Sequence, residues 1–128
     1  MKTPYLQLLE ALSTIDEDQV EMLSSVEEDT GDSLLKELIV TFVRDNEPRL
    51  DLLAESCMKR DLVALRQHTH FMCGSTANLG ILRVSQLCRQ AEKAIIDGEF
   101  DAFEAFPDQL KQEYQIGMSA LKARAGLN

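Results

Sequence analysis

Asp61 to Gly80 reads DLVALRQHTHFMCGSTANLG, and its pattern decides the fold. Leu62, Leu65, Thr69, Met72, Thr76 and Leu79 follow alternating steps of three and four, the stripe of an amphipathic helix. Asp61 supplies a side-chain acceptor for the first exposed amides. Gly80 stands where a left-handed residue ends a helix. Gly74 is the anomaly, because a mid-helix glycine costs ~1 kcal/mol relative to alanine. His70 lies roughly 130° from the centre of the stripe, towards solvent or a groove shared with the next helix. His68 falls on the opposite flank, so the two histidines do not form a pair. Gly74 follows His70 by four residues, and the side chain that would stand beside the imidazole is therefore missing. Bare backbone at that point admits another protein's surface to the ring. A glycine there could equally serve close helix packing. Cys73 shares the face of His70, and Arg66 and Gln67 lie one turn back.

Helical periodicity continues on both sides of this stretch. Upstream, Asp32 caps a helix whose apolar face carries Leu34, Leu35, Leu38, Ile39, Phe42 and Val43, and Leu50, Leu53 and Met58 extend it. Pro48 predicts a kink or short break at Asn46 to Pro48. Further upstream, Asp16 with Gln19 three residues on forms a capping-box pattern. It opens a helix with Val20, Leu23 and Val26 that ends near Asp29 to Gly31. Pro4 opens a short first helix over 1–13, with Leu6, Leu9 and Leu12 facing inward. Downstream, a helix runs from about Leu82 to Ile96 and stops at Gly98. Pro107 fits the first turn of a last helix reaching roughly Ala123, and Glu99 to Phe106 forms a further helical turn. Strand signals are poor. The expected fold is all-α, an antiparallel four-helix bundle spanning about 16–123 with an additional short N-terminal helix. Residues 1–128 form a single domain.

Bulk composition narrows the class. Aromatic residues are only 5% with no Trp, so an aliphatic core is expected. A net charge of −9 repels nucleic acid and anionic lipid while tolerating basic partners. Cys57, Cys73 and Cys88 are an odd number of scattered thiols, and the apolar stripe near Met1 is too interrupted for a secretion signal. No apolar run approaches the ~18 residues of a membrane span. A cytoplasmic location with reduced thiols is the expectation. In HTHFMC, His70 and Cys73 share a face but His68 points elsewhere, so no metal site is expected.

His70 to Gly80, HFMCGSTANLG, resembles the signature of histidine-containing phosphotransfer (HPt) domains. Met72 stands for the signature's leucine and Thr76 for its second serine. GDSLLKELIVTFVRDNEPRLDLL is similar to the family's preceding helix, and RVSQLCRQAEKAI to the following one. The resemblance implies that His70 accepts a phosphoryl group from the receiver aspartate of a hybrid sensor kinase and passes it to a response regulator. It implies that Glu92 orients the imidazole by accepting from Nδ1–H, leaving the Nε2 lone pair to attack phosphorus. Such a domain is a phosphocarrier without kinase activity of its own, and the receiver brings the Mg²⁺. The family usually places Lys where Cys73 stands, and Arg66, four residues before His70, is the candidate replacement for that charge. Gly74, Cys73, Ala77, Gln67 and Arg89 are the expected docking surface, with Arg66, Arg83 and Arg89 steering the partner. The helical seams suffice for a monomer. The loss of the lysine also admits an alternative, a degenerate HPt-fold module that binds receiver or kinase domains without efficient transfer.

Overall fold

The computed structural model describes residues 12–127. Five helices follow one another: α1 Glu17–Ser25, α2 Leu34–Met58, α3 Leu62–Leu79, α4 Leu82–Ile96 and α5 Ala105–Arg124. The four long helices form the bundle, and α1 packs across α2, α3 and α5. The first helix expected over 1–13 lies outside the described residues, except Leu12 and Ser13, which are not helical. Among the described residues no helix is long and apolar enough to cross a membrane.

The α3–α4 hairpin matters most for the site. Asp61 accepts the amide of Ala64 at 3.1 Å and starts α3. Gly80 ends it at φ 92°, with its amide on Thr76 and Ala77 and the Ile81 amide on Thr76. These bonds cap the last carbonyls of α3 and reverse the chain within two residues. Ile81 is fully buried, as a hydrophobic residue after such a cap commonly is. The N-terminal segment locks the turn: Asp16 N–H donates to Gly80 O at 2.8 Å and Leu82 N–H to Thr14 O at 3.1 Å. On α3, Leu65, Thr69, Met72, Thr76 and Leu79 are buried as their spacing predicts. Leu62 is not; it sits in the first turn and is 40% exposed.

Several expectations are corrected. Helix α1 stops at Ser25 because Val26 turns extended, accepts from the Leu34 amide and leaves its side chain exposed. Ser33, not Asp32, caps α2, accepting the Lys36 amide at 3.1 Å, while Asp32 pairs with the Lys36 ammonium at 3.2 Å. Helix α2 runs unbroken through Pro48. The proline removes one bond to the Arg44 carbonyl, and both residues lie on the exposed face, where the freed carbonyl is accessible to solvent. Met58 ends α2 pointing outward, 79% exposed. Glu99 to Glu104 is not helical but an irregular segment ending in a turn, and Ala105 and Phe106 already belong to α5; Phe100 packs edge-on to Phe103 at 5.0 Å and to Phe106 at 5.8 Å. The core is mainly aliphatic, but Phe42, Phe100, Phe106 and Tyr114 are buried in it.

Helix α5 crosses the α3–α4 turn at Gly117. A Cβ built there lies 2.5 Å from Ile81 Cγ2. Gly117→Ala would gain ~1 kcal/mol of helix propensity. It would also force a shift in a filled core, at ~1–3 kcal/mol. A net loss of stability is expected, read as a lower urea midpoint at unchanged m-value.

Candidate functional site

His70 and Glu92 face each other across the α3–α4 hairpin. The imidazole Nδ1 lies 2.8 Å from Glu92 Oε2. The histidine side chain is 77% exposed, whereas the glutamate is 16% exposed. The carboxylate is thus held in the crevice between helices and the ring stands above it. With Nδ1 committed to Glu92, Nε2 is on the far side of the ring, towards solvent. The bond defines Nδ1 as the protonated nitrogen of the neutral ring and Nε2 as the one with a free lone pair.

Arg66, one turn before His70, reaches the same carboxylate, with Nε 3.9 Å from Glu92 Oε2. Glu92 therefore has a histidine on one side and a guanidinium on the other. Arg66, Gln67, His70 and Glu92 border a groove of 530 Å³ whose walls are Leu62 and Val63 of α3 and Ile95 and Ile96 of α4. Val63 is 72% and Ile96 58% exposed, so the groove is an open apolar strip. Periodicity placed Leu62 in the buried stripe instead, and it did not single out Val63, Ile95 or Ile96 as surface residues. The available signal is that Val63 and Ile96 are β-branched apolar residues away from any buried stripe.

Gly74 lies on the other side of His70. A Cβ placed there meets no atom within 4 Å. Close packing inside the protein does not require this glycine; its effect is to keep the surface beside the ring flat. Ala77, one turn further, is also exposed. Cys73 is half-buried against the core rather than free on the surface. Ser75 ties the site helix to α2, its hydroxyl lying 2.8 Å from Asn46 Oδ1 and 3.1 Å from the Phe71 carbonyl. Asn46 is itself buried and donates to the Phe42 carbonyl.

Other expected site residues are not gathered here. Arg83 points away from His70, with Nε donating to the Leu12 carbonyl at 2.8 Å and Nη1 3.7 Å from Glu113. It holds the N-terminal segment and cannot steer a partner to the ring. Arg89 is exposed on α4 but does not line the groove. His68 belongs to a different cluster: its Nδ1 lies 3.2 Å from Arg49 Nη1, and the Arg49 guanidinium stacks 3.6 Å over the Phe71 ring. Burial, then the Arg49 charge, lower the His68 pKa against the opposing pull of Asp61. His68 is thereby kept neutral as an acceptor for Arg49. Burial also raises the thiol pKa of Cys88, and that of Cys57 to about 11 against the charge of Arg60, so both thiols are unreactive core side chains. Among the described residues no group of three His, Cys, Asp or Glu side chains converges as a metal site would require.

The family model of the Hpt domain matches residues 37–122. The fold is similar to the crystal structure of histidine-containing phosphotransfer protein B (HptB) from Pseudomonas aeruginosa PAO1. The TM-score is 0.75 at 27% identity, covering 88% of this chain and 95% of that one. A search of curated proteins gave no match. The family match covers most of the chain, including the whole α3–α4 hairpin, and this protein belongs to the Hpt family of histidine phosphotransfer domains that act in phosphorelays.

Proposed function

We propose that His70 is the phosphoacceptor, loaded from the receiver aspartate of a hybrid histidine kinase and unloaded onto the receiver of a response regulator. The observation that carries this reading is the 2.8 Å contact between Nδ1 and Glu92 on a ring that is otherwise open to solvent. The Nε2 lone pair attacks phosphorus, the P–O bond to the aspartyl carboxylate breaks, and the aspartate leaves with the bonding electrons. The ring becomes a cationic phosphoimidazole, and Glu92 offsets the charge at Nδ1–H. Transfer to the next receiver reverses these steps. Among the described residues Glu92 is the one carboxylate lining the groove and is already engaged by His70, which supports assigning the Mg²⁺ that neutralises the moving phosphoryl to the partner receiver. Arg66 is the basic side chain available on the same rim.

The partner surface includes both flanks of the ring. On one side Gly74 and Ala77 give a flat approach; on the other the Leu62–Val63–Ile95–Ile96 strip gives an apolar seat for a partner helix. The carrier acts as a cytoplasmic monomer in this reading. The degenerate-module alternative rests on Cys73 in place of lysine.

The test is incubation with a phosphorylated receiver. Label on this protein that is acid-labile, alkali-stable and located at residue 70 by mass spectrometry is expected. Receiver binding without any such label would overturn the carrier reading in favour of the binding module. Gly74 gives a second check. Gly74→Ala should raise stability by ~0.5–1 kcal/mol, because nothing obstructs the methyl group and helix propensity improves. Gly74→Leu should slow transfer about tenfold by displacing the incoming receiver from its in-line position. Stopped-flow or gel-based transfer rates beside urea melts would separate the two effects.

A further inference from the structure

We propose that Arg66 is a mobile counter-ion that rests against Glu92 in the empty carrier and moves onto the phosphoryl group in the loaded one, so that it sets how tightly His70 retains phosphate. The inference rests on His70 being the phosphoacceptor. Three observations carry it. Arg66 Nε is 3.9 Å from Glu92 Oε2, within ion-pair range but too long for a hydrogen bond. The side chain is 58% exposed, so it is held loosely. On the C-terminal side of His70 the sequence supplies no cation within one turn, because the positions three and four residues on are Cys73, half-buried against the core, and Gly74.

Phosphorylation changes the local charges in a way that drives the move. In the empty state Glu92 is the nearest anion to the guanidinium. In the loaded state the imidazole becomes cationic at Nδ1–H and binds Glu92 more strongly, and it repels a guanidinium that shares that carboxylate. A phosphoryl group then stands on Nε2 with two negative charges, above the same rim. A guanidinium binds phosphate oxygens in a bidentate fork. Arg66 on its flexible stem exchanges the carboxylate for the phosphoryl group. No bond is made or broken in this step; only an ion pair is exchanged.

The consequence is thermodynamic. Arg66 stabilises phosphohistidine relative to phosphoaspartate, so the distribution of phosphate between carrier and receiver depends on it. At concentrations below the affinity of the complex, that distribution is independent of how well the proteins dock. It therefore separates counter-ion action from a contact made only in the encounter.

The experiment is equilibrium partition of ³²P between the purified protein and a receiver domain that accepts phosphate from it. Arg66→Gln should shift the partition roughly three- to tenfold towards the receiver, and added salt should shrink the shift. Arg66→Lys should stay within about twofold of wild type. Adding Cys73→Lys to Arg66→Gln should restore the wild-type partition, because it supplies a cation from the next turn; a merely structural role for Arg66 would not be rescued this way. An unchanged partition in Arg66→Gln, or no recovery in the double variant, overturns the proposal while leaving the carrier reading intact. Absence of any label on the wild-type protein overturns both.

Discussion

His70→Gln abolishes phosphoryl acceptance, with a residual rate at least about a thousandfold below wild type, because the nucleophile of the covalent step is gone. Glutamine keeps a polar side chain of similar reach, so the surface remains wet and the helix keeps a good former. The imidazole is 77% exposed and its one strong partner is Glu92. The change in folding stability should therefore stay within ~0.5 kcal/mol. His68 cannot take over. It is part-buried, and its Nδ1 is occupied by Arg49 on the α2 side of the helix. Label from a phosphorylated receiver, with a parallel urea melt, decides the matter. Label persisting on the variant would mean that another residue is the acceptor.

Glu92→Ala should leave the acceptor in place and slow it by roughly ten- to a hundredfold. A hydrogen bond to a charged group contributes ~1.5–3 kcal/mol, and each 1.36 kcal/mol in the barrier is a factor of about ten. Two effects combine. The ring loses the acceptor that fixes its tautomer, so Nε2 carries the proton part of the time. The cationic phosphoimidazole loses its counter-charge. Glu92→Gln divides these effects, because the amide carbonyl still accepts from Nδ1–H but carries no charge. An intermediate rate is expected for Gln, between wild type and Ala. Equal rates for Gln and Ala would show that charge alone matters. Rates equal to wild type in both would remove Glu92 from the mechanism.

How much of this was legible in the sequence varies by element. The α3 helix was legible at both ends, since Asp61 and Gly80 are local signals that depend on nothing distant. The buried stripe followed from its period, apart from Leu62, whose place in the first turn puts it at the margin of the core. The exposure of His70 followed from the helical wheel, and its pairing with Glu92 was expected only through the family resemblance, because periodicity cannot set the register between two helices. The apolar strip beside the ring was not legible. Val63 and Ile96 are exposed, and an exposed apolar residue leaves no periodic trace. Arg83 was misplaced because charge alone does not reveal direction; its carbonyl partner, Leu12, is distant in sequence. Pro48 was overweighted, because the sequence does not say whether the orphaned carbonyl faces water.

The Gly80–Ile81 reversal has a consequence for assembly. The acceptor and its carboxylate belong to consecutive helices joined by almost no loop, so their meeting involves a short closure, of the kind that forms quickly in helical proteins. The pair is calibrated like a vernier: each residue inserted into the hinge would slide one scale against the other by about 1.5 Å. A single added residue would thus detune the 2.8 Å contact while sparing every side chain in it.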